Sequence, residues 1–123
     1  MKFPRGRRLT RRSEFATVRT EGKSWRGQFL ALGWLRQPPL TDGPFRVGII
    51  TTKRLGGAVT RVRVRRKIRG ILQKTGEEVA GGVWLVLIAQ SRAAEASSAQ
   101  LEKEWRWLLR KTGLGIPSPP PAP

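Results

Sequence analysis

Residues 83–89 read VWLVLIA, and both alternating faces of that run are apolar. As a strand it belongs inside a sheet with cover on both sides, because a strand with one solvated face alternates polar with apolar residues. Every other segment must then supply a neighbouring strand or a covering helix. Gly81 and Gly82 lead into the run. Upstream, residues 23–37 (KSWRGQFLALGWLRQ) are rich in aromatic and aliphatic side chains, and Gly27 divides them into a short strand and a longer one. The sequence PPLTDGP then forces a loop, and FRVGIITT follows as a further strand with its core at Val47 to Ile50. The strands on either side of that loop are expected to pair as a hairpin. Gly48 leaves room on one face for a close backbone or ligand approach.

Helical signals frame these strands. Leu9, Phe15 and Val18 mark the buried side of a short first helix running to about Thr20, with Thr10 or Ser13 to cap it and Gly22 to end it. Near the far end, Ser97 and Gln100 offer a capping box, and Leu101, Trp105, Leu108 and Leu109 fall at i, i+4, i+7 and i+8. Residues 1–8 form a basic arm, residues 9–113 a single domain, and residues 114–123 (LGIPSPPPAP) a proline-rich tail expected to be extended and disordered. Helices packed on a mostly antiparallel sheet make an α+β sandwich.

A chain of 123 residues fits one domain. Its 25 Lys and Arg against 8 Asp and Glu give a formal charge of +17, a load that repels itself unless a polyanion neutralises it. Nucleic acid is the first candidate partner. No apolar run reaches the length of a membrane span, and MKFPRGRRLTRR lacks the apolar stretch of a signal peptide, so a soluble, cytoplasmic protein with no membrane partner is expected. The absence of Cys excludes a disulfide framework, a thiol nucleophile and a zinc-thiolate site; the absence of His removes the commonest general base. Glu14, Glu21, Asp42, Glu77, Glu78, Glu95, Glu102 and Glu104 are scattered and form no paired constellation. No catalytic side chain is expected.

The segment KRLGGAVTRVRVRRKIR, residues 53–69, carries the densest charge. On a helical wheel starting at Ala58, residues Val64, Ile68, Ile71 and Leu72 fall at about 240, 280, 220 and 320 degrees, one apolar face. Arg63, Arg65, Arg66, Lys67 and Arg69 occupy the arc from about 340 round to 180 degrees, and Arg61 sits at the edge of the apolar face near 300. A merely solvated helix interleaves acids with its bases, yet Asp42 is the sole carboxylate between Glu21 and Glu77. The arginine face is therefore read as a polyanion-binding surface, with guanidinium forks suited to phosphate or to an unpaired base. KRLGG lacks the spacing of a nucleotide-binding phosphate loop; its glycines turn the chain and leave free amides at a helix N-terminus beside Lys53 and Arg54. Of the five tryptophans, Trp84 and Trp105 are expected in the core, whereas Trp25, Trp34 and Trp107 are candidates for the surface.

From FRVGIITTKRLGGAVTRVRVRRKIRG the sequence resembles the bacterial ribonuclease P protein component, which carries a basic pair, a glycine-containing turn, Ala-Val and a helix of pattern RNRxKRxxR after a strand. Arg61, Arg63, Arg65, Arg66 and Arg69 match without a gap, arginine standing for lysine at Arg65. RLTRRSEFATVRTEG is similar to the family's opening helix, VWLVLIA to its strand after the basic helix and LEKEWRWLLRK to its last helix, so that residues 7–112 are covered. The resemblance implies a two-layer α+β sandwich of order αβββαβα, with a four-stranded sheet and a left-handed crossover (ribosomal S5 domain 2-like). It also implies an RNA-based enzyme in which the protein, a monomer bound 1:1, assists a catalytic RNA subunit. That RNA uses Mg2+ to cut the 5′ leader from precursor tRNA; no cofactor is held by protein side chains. By the same resemblance, Lys53, Arg54, Arg61, Arg63, Arg65, Arg66, Lys67 and Arg69 contact RNA. Phe15, Arg19, Leu32 and Lys53 form the cleft for the leader, where Arg19 and Leu32 stand at positions that are often aromatic in the family. Val62 replaces the family's usual asparagine and is expected to pack on an arginine stem or the RNA backbone.

A structural RNA-binding protein of ribosomal type, with no part in cleavage, would share the size, charge and arginine-rich helix. The full motif from Lys53 to Arg69 separates the two. A protein-only nuclease would need clustered acids for metal ions, and the sequence offers none.

Overall fold

The computed structural model describes residues 9, 12–36, 45–79 and 81–115. The basic arm, the PPLTDGP loop, the Thr10 cap and the proline-rich stretch from residue 116 lie outside them. Seven main elements follow in the order α1 (Arg12–Glu21), β1 (Lys23–Arg26), β2 (Leu30–Arg36), β3 (Arg46–Ile50), α2 (Ala58–Thr75), β4 (Val83–Ala89) and α3 (Ser98–Thr112). Short 3-10 turns occupy Lys53–Leu55, Gly76–Glu78 and Ser91–Glu95.

β4, the VWLVLIA run, lies inside the sheet, whose order is β1-β2-β4-β3. It runs antiparallel to β2, pairing Leu30 with Ala89 through to Arg36 with Val83, and parallel to β3, pairing Arg46 with Trp84 through to Ile50 with Ile88. The expected hairpin between the strands flanking residues 38–44 is thus corrected: β4 separates β2 from β3, and β2 forms its hairpin with β1 instead. The most apolar strand takes the place where both its edges are paired, with one face fully covered by helices and the other covered in part. Because a parallel neighbour cannot be reached through a tight turn, α2 serves as the crossover from β3 to β4.

Strand alternation sorts the side chains into two cores. Leu30 and Leu32 of β2, Val47 of β3 and Val83, Leu85, Leu87 and Ala89 of β4 meet the apolar faces of α2 and α3 in the main core. The expected α2 anchors Val64, Ile68, Ile71 and Leu72 and α3 anchors Leu101, Trp105, Leu108 and Leu109 all lie there. Val86 of β4 faces the other way and joins Leu9 and Val18, with Phe15, Leu35, Ile50 and Trp84 packed around them. The sandwich of sheet and helices is as expected, and α1 adds a partial layer on the sheet's second face.

The helix ends are specified locally. Ser97 accepts from the Gln100 amide at 3.1 Å while Gln100 accepts from the Ser97 amide at 2.9 Å, so the expected capping box starts α3. Ser13, in contrast, lies inside α1, where its carbonyl accepts from Thr17 at 2.7 Å. Leu114 and Gly115, expected in the tail, are part of the domain: Leu114 is fully buried, and Gly115 bridges to Val79.

Acids serve the scaffold. The Glu104 carboxylate of α3 accepts from the backbone amides of Gln28, Phe29 and Leu30 at 2.6, 2.7 and 2.6 Å, tying the β1–β2 turn to the last helix. Lys74 at 3.1 Å is the chief cause holding the Glu102 carboxylate below the usual glutamate range; desolvation opposes it and Arg106 reinforces it. Glu102 therefore adds stability above the ordinary glutamate range and loses it as pH falls through its lowered value. Arg106 joins Glu102 to Glu78. Glu104→Ala should lower unfolding free energy by about 2–3 kcal/mol in urea titrations, since three amides lose a charged acceptor together. A loss too small to move the midpoint would show that the tie is dispensable.

Candidate nucleic-acid interface

The interface begins where β3 ends. Thr51 follows the strand and accepts from Arg65 Nη2 at 2.8 Å, fixing the crossover helix to the sheet by a side chain from its basic arc. Between them, the 3-10 turn Lys53–Leu55 buries Leu55 in the main core and leaves Lys53 and Arg54 exposed. Gly56, at φ 141°, takes a backbone conformation that side chains rarely adopt and swings the chain into α2. Gly57 then stands at the N-cap without a side-chain cap, and the first turn holds no acid. Amides at the helix start are thereby left for solvent or an anion, beside Lys53 and Arg54.

Along α2 the segregation read from the wheel is realised, with gradations. Arg63 and Arg66 are exposed, whereas Arg61, Arg65, Lys67 and Arg69 are half-buried. Lys67 Nζ donates to the Ala96 carbonyl at 3.1 Å, so this member of the expected RNA-binding set also ties α2 to the approach of α3. The Nε atoms of Arg61 and Arg65 are shut from solvent, which lays both stems along the surface. Among the described residues, Arg61, Arg63, Arg65, Arg66 and Lys67 make no ion pair with a carboxylate. Four acids of the scaffold are engaged elsewhere: Glu14 with Arg46, Glu78 and Glu102 with Arg106, and Glu104 with the β1–β2 turn.

A second, less charged surface lies on the sheet face that α1 only partly covers. The Leu9 amide donates to the Val47 carbonyl at 3.0 Å, and Val18 approaches Gly33, holding α1 across β2, β4 and β3. Phe15 lies over Gly48, where an added Cβ would run into the ring; the room expected at this glycine is filled by Phe15. Arg46 pairs with Glu14 at 2.7 Å and stacks over Trp84, 5.7 Å from the ring centre. Arg19 is exposed one turn beyond Phe15.

Leu32 is corrected. It is fully buried in the main core, on the opposite face from Phe15, and cannot line a cleft against α1. The β2 residues on the α1 face are Ala31, Gly33 and Leu35, and register brings exposed Arg26 beside Ala31 and half-exposed Ile88 between Ala31 and Ile50. Sequence reasoning missed Arg26, Ala31 and Ile88. The available signal was the alternation of large Leu30 and Leu32 with small Ala31 and Gly33, which puts the small residues under the helix that approaches closely. Of the surface tryptophan candidates, Trp34 and Trp107 pack against the main core, and Trp25 on edge strand β1 is about half exposed.

Fold and surface together define a small cationic α+β sandwich whose crossover helix turns a cationic face outward. The chain matches the Ribonuclease P family model over residues 3–113 and belongs to the ribonuclease P protein component family. It is 38% identical over 107 residues to the ribonuclease P protein component of Dehalococcoides mccartyi, covering 87% of this chain and 85% of that one. The Geobacillus kaustophilus protein component is 35% identical over 107 residues, covering 86% of each. The Thermus aquaticus protein component is 36% identical over 110 residues, but the match spans only 63% of its length. Among solved structures, the Staphylococcus aureus RNase P protein superposes with a TM-score of 0.81 at 20% identity, covering 89% of this chain and 98% of that one. The Thermotoga maritima protein gives 0.75 at 21% identity, covering 85% and 96%. Both share the fold.

If about 6 to 8 phosphates are neutralised by the α2 face and its approach, log K for RNA should fall with log salt at a slope of about −5 to −7. Filter binding across a salt series measures it, and a nearly flat response would contradict a phosphate-binding face.

Proposed function

We propose that this chain is the protein subunit of ribonuclease P and assists a catalytic RNA in removing the 5′ leader from precursor tRNA. One observation supports this above the others: in a member of this family, the crossover helix is docked by Val64, Ile68, Ile71 and Leu72 and turns an acid-free cationic surface outward. Arg63 and Arg66, with Lys53 and Arg54 at the helix approach, bind the catalytic RNA through phosphates. Arg61, Arg65, Lys67 and Arg69 complete the contact from the edges of that face. Chemistry resides in the RNA and its Mg2+ ions, and the protein acts by screening repulsion between two RNAs and by holding part of the substrate. One protein binds one RNA.

The leader lies on the open part of the sheet beside α1. Phe15 offers an aromatic ring for an unpaired base to stack on, Ala31, Ile50 and Ile88 form an apolar floor, and Arg19, Arg26 and Lys53 attract the phosphates. Leu32 supports this floor from beneath and makes no contact. With arginine at position 19, charge carries more of the leader affinity than stacking does.

Reconstitution with a bacterial ribonuclease P RNA tests the reading. Precursor tRNA should be cut at low magnesium only when the protein is present. No stimulation, together with tight binding to ribosomal RNA, would assign the chain instead to structural RNA binding of ribosomal type. Within the complex, Phe15→Ala should weaken binding of precursor relative to mature tRNA by about 1–3 kcal/mol, the range for loss of one base stack. An unchanged ratio of the two affinities would remove Phe15 from the leader site.

A further inference from the structure

The basic face of α2 is interrupted by an apolar strip. Val59 is 74% exposed and Val62 46% exposed, one turn apart on the outward side of the helix. Together with Ala58 they form the floor of an open groove whose remaining lining is Arg63, Arg66 and Lys67. Neither valine belongs to either core. Exposed aliphatic side chains gain from being covered, and here every charged residue around them is a cation.

We propose that Val59 and Val62 form a seat for one unpaired nucleobase of the bound RNA, with Arg63 and Arg66 holding the phosphates on either side of it. This rests on the RNA-binding reading of α2 and specifies what its centre recognises. A nucleotide in a single-stranded or bulged segment presents an apolar flat face and carries phosphate on both flanks. The groove presents the complementary order, aliphatic in the middle and cationic at the rim. A paired helix does not, because its base faces are stacked inside and only phosphates and sugar edges reach a protein surface. An acidic peptide would match the cations, but the membership of the chain in a ribonucleoprotein family favours RNA. Val62 at this place exchanges a polar contact for base contact, so the seat takes any base and reads little sequence.

The chain contains no cysteine, so Val62→Cys gives a single attachment point for a benzophenone crosslinker. On a bacterial ribonuclease P RNA, crosslinks should concentrate on one unpaired nucleotide; crosslinks confined to duplex regions would overturn the seat. Val59→Thr with Val62→Thr keeps side-chain shape and exposes nothing new, so the fold is retained. This double variant should bind the RNA about three- to tenfold more weakly with an unchanged salt slope. Arg63→Gln should lower the slope by about one. Removing the base at the crosslinked nucleotide should weaken wild type and leave the threonine variant unaffected. Equal affinity of wild type and the threonine variant would overturn the proposal even where the protein stimulates cleavage. If cleavage is not stimulated and RNA is not bound, it is the functional reading that fails.

Discussion

The double pairing of β4 governs this molecule. A strand apolar on both faces needs cover on both, which α2 and α3 supply on one side and α1 in part on the other, while β4 pairs antiparallel with β2 along one edge and parallel with β3 along the other. The parallel partner demands a crossover, and α2, wedged between β3 and β4 in sequence, is that crossover. A helix placed there must give one face to the sheet, which Val64, Ile68, Ile71 and Leu72 supply. On its other face Arg65 and Lys67 keep ties to Thr51 and Ala96, and the outermost positions carry charge that the core could never accept.

Where the acids lie completes the design. Glu104 ties the β1–β2 turn to α3, Glu102 and Glu78 gather Lys74 and Arg106 at the far end of α2, and Glu14 neutralises Arg46 beneath α1. Each is engaged in holding the scaffold. The outward face of α2 is left with cations whose mutual repulsion only an external polyanion relieves. A polyanion bound there would act in the same direction as folding, because it would neutralise a surface that opposes compaction.

Much of this was legible in the sequence because it is encoded locally. Helical spacing disclosed the buried residues of α2 and α3, a reciprocal cap marked the start of α3, and continuous apolarity placed β4 inside the sheet. Pairing partners are not encoded locally, which is why β2 and β3, separated by a loop of turn residues, were expected to pair although β4 lies between them. Strand phase decided Leu32. A leucine fits either face of a sheet, and only the close approach of Val18 to Gly33 shows that α1 covers the small residues and leaves Leu30 and Leu32 to the main core. At the C-terminus, proline composition suggested a tail from residue 114, while the folding of Leu114 and Gly115 back toward Leu109 depends on burial in the main core and a bridge to Val79, long-range contacts that periodicity does not reveal.

The central claim is that the outward face of α2 joins RNA to a catalyst that the protein does not itself supply. Reversing its two exposed arginines, Arg63→Glu with Arg66→Glu, tests this most directly, since neither side chain enters a core and circular dichroism can confirm the fold. In reconstituted cleavage of precursor tRNA the variant should fail to stimulate at low magnesium and recover as magnesium rises to screen the RNA. Stimulation equal to wild type at low magnesium would contradict the account.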